Sequence, residues 1–231
     1  MLTRQLEPEL MDSQDEAMDY DAMDHRQVND RFVSDLCEFM DWKPDPDFNG
    51  ESWLDVLDMG TGTAQIPIRL CQHLPQARVM AAEQAIAMLE IAKININIDS
   101  MLDRVQLLRS DCKRMEELED EMFRVVMSNS LIHHLPNPAP AIAEAVRVTE
   151  PGGTLFFRDL MRPESEEQVL GLVQAYAGNE GEPAQKMFAD SLRAALTLDE
   201  VRELVGTHGF APETVSQSSD RHWTWAAQKP E

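Results

Sequence analysis

The run DMGTG sets Asp58, Gly60, Thr61 and Gly62 directly behind an apolar stretch and ahead of a helical one. Two glycines at a strand-to-helix turn let a ligand approach bare backbone and the positive end of the helix. A dinucleotide fingerprint counted from Gly60 needs a third glycine at position 65, where Gln65 stands instead. Asp58 would repel a diphosphate but suits an amino or sulfonium group, so the turn favours a ligand of that kind over a nicotinamide dinucleotide. Glu83 follows 23 residues after Gly60, with Gln84 beside it. That is the spacing at which a carboxylate ending the second strand holds ribose hydroxyls. Downstream, the adjacent His133 and His134 offer a general base near neutral pH. Arg158, Arg162 and Arg221, with Asp159 and His222 beside them, offer guanidinium forks suited to carboxylate or phosphate.

These residues need a frame that brings distant segments to one rim. From Trp53 onward strand-like and helical textures alternate, with strands expected over 53–59, 78–83, 105–111, 123–130 and 154–160 and helices over 64–71, 85–97 and 140–148. Such alternation predicts an α/β fold, a Rossmann-like doubly wound sheet with helices on both faces. A helical insert over about 163–196 follows. Thr197 and Glu200 then form a capping box for a helix over 198–205 that should stop at Gly209. The closing strands, 213–217 and 221–229, are too close for a crossover helix and must pair antiparallel, so the sheet is mostly parallel with an antiparallel last strand. Ahead of this body, 51–231, residues 1–50 read as a helical cap or lid. Val28, Phe32, Val33, Leu36, Phe39 and Met40 recur at helical spacing over 27–41, Tyr20 and His25 lead into that helix, and the turn-rich PDPDFNG at 44–50 follows it.

DMGTGTA at 58–64 resembles motif I of the class I S-adenosylmethionine-dependent methyltransferases, with Ala64 where the pattern has its third glycine. One methyl group there tightens the packing of helix on strand without blocking the ligand. The resemblance extends over roughly 53–210. AEQAIAMLEIAKININ at 82–97 reads like the family's next helix, NSLIHHL at 129–135 like motif IV and its following loop, and RVTEPGG at 147–153 like the turn before the fifth strand. In these motifs the chain is broadly similar to the ubiquinone/menaquinone-biosynthesis type. The resemblance implies S-adenosylmethionine as cofactor, held by Asp58, Gly60, Thr61, Gly62, Glu83, Gln84, Asp111, Cys112 and Asn129, with Glu83 on the ribose and Asp111 at the adenine amino group. It also implies a strand order that sets the antiparallel seventh strand beside the fifth. Asp220, Arg221 and His222 would then meet Arg158 and Asp159, with Arg162 just beyond. His133, His134 and Asp159 become the candidate catalytic residues, and Tyr20, His25, Arg158, Arg162, Arg221 and His222 the candidate acceptor contacts. Each has a structural alternative: Asp58 could cap amides of the turn, the arginines could staple two strands, and one histidine could serve packing. Trp223 and Trp225 read as core.

Composition narrows the acceptor. The chain has 20 Lys and Arg against 42 Asp and Glu, a net charge of −22, which repels a phosphate backbone. SNSLIHH stands where amino-methylating nucleic-acid enzymes carry Asn-Pro-Pro-Tyr, so no nucleic-acid partner is expected. No apolar run has the length of a membrane span, and the acidic N-terminus is neither a signal nor a transit peptide, which predicts a soluble, cytoplasmic protein. Cys37, Cys71 and Cys112 lie far apart, form no ligand pattern and read as small buried residues, so no metal is expected. The expected activity is in-line methyl transfer to a small, anionic acceptor. The alternatives are methylation of a protein side chain and a non-catalytic S-adenosylmethionine-binding regulator. The acceptor, the attacking atom and the oligomeric state are not legible.

Overall fold

The computed structural model of the chain describes residues 2–8, 12–43 and 47–231. Two helices come first, α1 (Gln14–Ala22) and α2 (Arg26–Met40). Strands and helices then alternate: β1 (Leu54–Met59), α3 (Gln65–His73), β2 (Ala77–Glu83), α4 (Ile86–Ile98), β3 (Val105–Arg109), β4 (Phe123–Asn129), α5 (Ala139–Val148) and β5 (Thr149–Leu160). The insert is a helix pair, α6 (Glu166–Ala177) and α7 (Glu182–Ala194), followed by α8 (Leu198–Gly206), β6 (Val215–Gln217) and β7 (His222–Gln228). The seven strands form one sheet in the order β3-β2-β1-β4-β5-β7-β6. β7 runs against both of its neighbours, and the other pairs are parallel.

Alternation along each strand sends residues to opposite faces. Leu57, Met59, Val126, Leu155, Phe157, Trp223 and Trp225 bury against Ile142, Ala145 and Val148 of α5 and Val201 and Val205 of α8. Val56, Val79, Val125, Met127 and Phe156 bury on the other face against Phe32 and Leu36 of α2, Ile68 and Leu70 of α3, and Ala92 and Ile96 of α4. Each large apolar side chain buried in this way contributes about 1.5–3 kcal/mol. The doubly wound class follows from this two-sided burial, and both tryptophans are core residues as expected. All three cysteines are buried.

Differences lie at the element ends. β5 opens at Thr149, earlier than expected, because Thr149 already pairs with Phe123 and Gly152 donates to the Lys229 carbonyl (2.9 Å). β3 ends at Arg109 because the Asp111 carboxylate accepts from the Lys113 backbone at 2.9 Å and turns the chain. Helix α8 ends at Gly206, and Gly209 takes a left-handed φ of +83° in the connection that follows. The capping box of Thr197 and Glu200 is present. α1 has almost no apolar pattern, since only Ala17 is buried, and is started by the Ser13 side chain. Positions 44–46 of the turn-rich segment lie outside the described residues.

Candidate functional site

The site begins where β1 delivers Asp58 to the end of the sheet. Asp58 is 2% exposed, and burial pushes its carboxyl up to about 7, with the charge of Glu83 acting in the same direction. Gly60 and Gly62 take φ of +72° and +56°, and a Cβ on Gly60 would lie 2.7 Å from Leu131 Cδ1. Ala64 adopts the same left-handed backbone (φ 63°) at full burial. That conformation costs an L-residue about 1–2 kcal/mol, so packing on α3 holds a strained alanine at the third-glycine position. Glu83 binds the turn to β2: Gly62 N donates to Oε2 (3.0 Å), while Gln84 N and Ala85 N donate to Oε1 (2.8 and 2.9 Å). Tyr20 covers Gly62, where an added Cβ would sit 3.8 Å from its ring. Burial pushes the Tyr20 phenol up to about 12, helped by the charges of Glu83 and Asp58. Gln65, the residue that breaks the dinucleotide pattern, donates to Asp21 Oδ1 (3.1 Å) and accepts from Asn29 (3.2 Å), so it holds α1 and α2 over the turn.

A cleft of about 1180 Å³ runs from this turn past Ser130 and Leu131 to α6 and α7. Of the residues singled out above, Tyr20, His25, Gly60, Gly62, Glu83, Gln84, Cys112 and Asn129 line it at the cofactor end. His133, His134, Arg158, Arg221 and His222 line the rest. Asp58 and Thr61 line an adjoining recess shared with Tyr20 and Asn129. Asp111 does not reach the cleft, since its carboxylate is bound to the Lys113 backbone and ammonium.

Asp159 lies under the cleft wall, 1% exposed, and accepts from His133 Nδ1 (2.5 Å), the His133 backbone (3.1 Å) and the Leu160 backbone (2.6 Å). Burial opposes charge on both side chains, but their mutual attraction outweighs it. His133 is raised and Asp159 lowered, each toward its charged form. His134 is pushed down to about 3 by burial and by the charge of His133, and is neutral. Glu7, from the N-terminal segment, lies 3.3 Å from His133 Nε2 and 3.1 Å from His134 Nδ1. Arg4 ties the same segment down, donating to the carbonyls of Ala194 (2.6 Å), Leu135 (2.9 Å) and His133 (3.2 Å).

The three arginines do not converge. Arg158 pairs with Asp35 of α2 (2.8 Å) and donates to Thr224 of β7 (2.9 Å). Arg221 pairs with Asp220 (3.2 Å) and lies over the Tyr176 ring at 3.4 Å. Arg162 turns away from the cleft: past the end of the β5–β7 pairing its backbone donates to Leu196, which directs the buried guanidinium to Glu200 (2.7 Å) and the Ala195 carbonyl (2.9 Å). Burial and Arg221 push His222 down to about 4.

Residues 57–157 match the family model described as a methyltransferase domain. A demethylmenaquinone methyltransferase from Porphyromonas gingivalis is 24% identical over 67% of this chain and 67% of its own length. A crystal structure of a SAM-dependent methyltransferase from Aquifex aeolicus shares the fold at a TM-score of 0.66, with 18% identity over 94% of this chain and 98% of that one. In its matched domain and its fold the chain is similar to the class I S-adenosylmethionine-dependent methyltransferases. A second relative of this methyltransferase, a release factor glutamine methyltransferase from Rhodopirellula baltica, is 35% identical over 44% of this chain and 33% of its own length. The chain thus spans two thirds of the first curated relative and a third of the second.

S-adenosylmethionine is the cofactor of this methyltransferase family, and the residues at the turn fit it. Gly62 leaves a slot under Tyr20 that a side chain would fill, and the Thr63 hydroxyl is buried there without a hydrogen-bond partner. Asp58 and Glu83 supply carboxylates for a cationic amino acid moiety and for hydroxyls, and the recess contains no lysine or arginine of the sort a diphosphate needs. Sequence reasoning missed Arg4 and Glu7, which sit in a run of mixed polar residues with no periodicity. It also missed Asp35, hidden among the polar positions of α2.

Proposed function

We propose that this methyltransferase moves the methyl group of S-adenosylmethionine to a small molecule held in the cleft between the strand ends and the helix pair α6 and α7. The observation that carries this reading is the cleft itself. At about 1180 Å³ it exceeds an ordinary ligand pocket of roughly 300–1,000 Å³ and has room for a cofactor and a second molecule. Bound S-adenosylmethionine supplies an electrophilic methyl group on a sulfonium. In-line transfer then asks the protein to align the acceptor and exclude water. Glu83 would hold a ribose hydroxyl, Asp58 the amino group, and Gly60, Thr61 and Gly62 the bare backbone beside them. Gln84, Cys112 and Asn129 complete the wall, and Asp111 stays outside this set. Tyr20 and His25, with α6 and α7, act as the lid, and residues 1–50 serve as its N-terminal part. Leu131, Leu160, Met187 and Phe188 give the acceptor end an apolar floor.

His133 has both ring nitrogens engaged and His134 is a weak base, so neither is a ready proton acceptor as it stands. The acceptor therefore either needs no deprotonation or arrives as an anion. Arg221 is the guanidinium best placed to meet an anionic group, because it lines the cleft and its partner Asp220 is half exposed. An exposed pair contributes about 0–1 kcal/mol, and a protein of this size shifts by about 2–4 °C per kcal/mol, so Arg221→Gln should lower the melting temperature by only a few degrees at most. A thermal-shift screen of small aromatic carboxylates and phosphates should find compounds that stabilise the wild type and not Arg221→Gln. A larger fall in melting temperature, with no compound acting on either protein, would leave Arg221 as a strand staple.

A further inference from the structure

We propose that Glu7, His133 and His134 form a binding site for a first-row divalent transition-metal ion at the wall of the cleft. One ligand atom from each of the three residues lies within 4.8 Å of the others, and among the described residues this is the group that meets that condition. The carboxylate oxygen Oε1 of Glu7 stands 3.3 Å from His133 Nε2 and 3.1 Å from His134 Nδ1. Ligands bonded at about 2.0–2.2 Å to one ion are separated by about this much, so the Glu7 oxygen already stands at coordination-shell spacing from both ring nitrogens.

The hydrogen-bond pattern points the same way. His134 Nδ1 is buried and makes no aligned hydrogen bond, although a carboxylate oxygen is 3.1 Å away. His134 also hydrogen-bonds the Pro8 backbone, whose one hydrogen-bonding group is its carbonyl. His133 carries the matching outer support: its Nδ1 is bonded to Asp159 at 2.5 Å, the carboxylate–histidine arrangement that orients a metal-binding imidazole and turns Nε2 toward Glu7. Arg4 and Gln5 anchor the segment that brings Glu7 in, through hydrogen bonds to backbone on α7 and the histidine turn.

Two imidazoles and one carboxylate select a transition ion over Mg²⁺ or Ca²⁺, which favour all-oxygen shells. On binding, the ion takes the position between the rings and the carboxylate, and any proton on His133 Nε2 leaves to solvent. Both histidines line the cleft, so an ion held by them would lie at its wall. Where the methyl-transfer reading holds, an ion there would bind an acceptor oxygen and favour its anion, a role that neither histidine is set up to fill as a base. The site itself does not depend on that reading, because metal binding is measured without turnover.

The test uses the full chain, free of a polyhistidine tag, stripped with chelator and desalted. Zn²⁺ is titrated by calorimetry, and Co²⁺ serves as a visible-absorption probe. The wild type should bind one equivalent of Zn²⁺, and Co²⁺ should give the absorption of a low-coordinate nitrogen and oxygen site. Glu7→Gln and His134→Gln should each weaken Zn²⁺ at least as much as the roughly 10- to 100-fold lost with outer-shell partners, while keeping the wild-type affinity for S-adenosylhomocysteine. Retained S-adenosylhomocysteine binding shows that a variant is folded, and if one variant fails that check the other decides. Absence of saturable one-equivalent Zn²⁺ binding by the wild type overturns the site. Wild-type Zn²⁺ affinity in a folded variant overturns it equally.

Discussion

Glu83→Ala should weaken S-adenosylhomocysteine binding by about 10- to 100-fold. In the structure the Glu83 carboxylate accepts from three backbone amides, Gly62, Gln84 and Ala85, and so fixes the end of β2 against the glycine turn. A carboxylate offers about four lone-pair sites, so three amides leave one, on Oε2, for a ribose hydroxyl. Such a bond to a charged acceptor contributes about 1.5–3 kcal/mol, so losing it removes about one to two decades in affinity. Calorimetry on Glu83→Ala and Glu83→Gln gives the contrast. The glutamine keeps one acceptor oxygen and should fall between the wild type and the alanine. Equal affinity in wild type and Glu83→Ala would remove the ribose assignment, whatever happens to the melting temperature.

Asp159→Ala should lower the melting temperature by about 6–20 °C. It leaves the buried His133 ring without the carboxylate that holds it and strips acceptors from two buried backbone amides, those of His133 and Leu160. Breaking one side of a buried pair costs about 3–5 kcal/mol. For a chain of this length that converts at about 2–4 °C per kcal/mol. Asp159→Asn retains an acceptor for the amides and loses the charge, so it should fall by less. A scanning-calorimetry shift of only a degree or two in Asp159→Ala would mean that the histidine turn is not held by this pair.

Period-two alternation in β1, β4, β5 and β7 and the longer helical period of α2 made the frame readable before any coordinates, because burial on two faces imposes both patterns. The antiparallel end of the sheet followed from the short connection after position 217. α1 was not readable, since a helix that buries only Ala17 leaves no apolar stripe. Much of the cofactor turn was equally local: Asp58, Gly60, Gly62 and Glu83 lie within one strand-helix-strand unit. The arginine rim was readable only as far as the strand register reached. Register sets Arg158 opposite Thr224 and Leu160 opposite His222, but it ends there, and Arg162 follows the chain to α8. Glu7 is the extreme case. Its acidic neighbourhood reads as a solvated surface, and only tertiary packing reveals that it meets two histidines of the histidine turn.

The most direct measurement of the central claim is transfer of a tritiated methyl group from S-adenosylmethionine in the presence of a cell extract divided by ultrafiltration into small molecules and macromolecules. Label should appear in a new compound of the small-molecule fraction, and Glu83→Ala should lower it by about 10- to 100-fold at low cofactor concentration. Label fixed in the protein fraction, or none in either while S-adenosylmethionine binds normally, would contradict methylation of a small molecule.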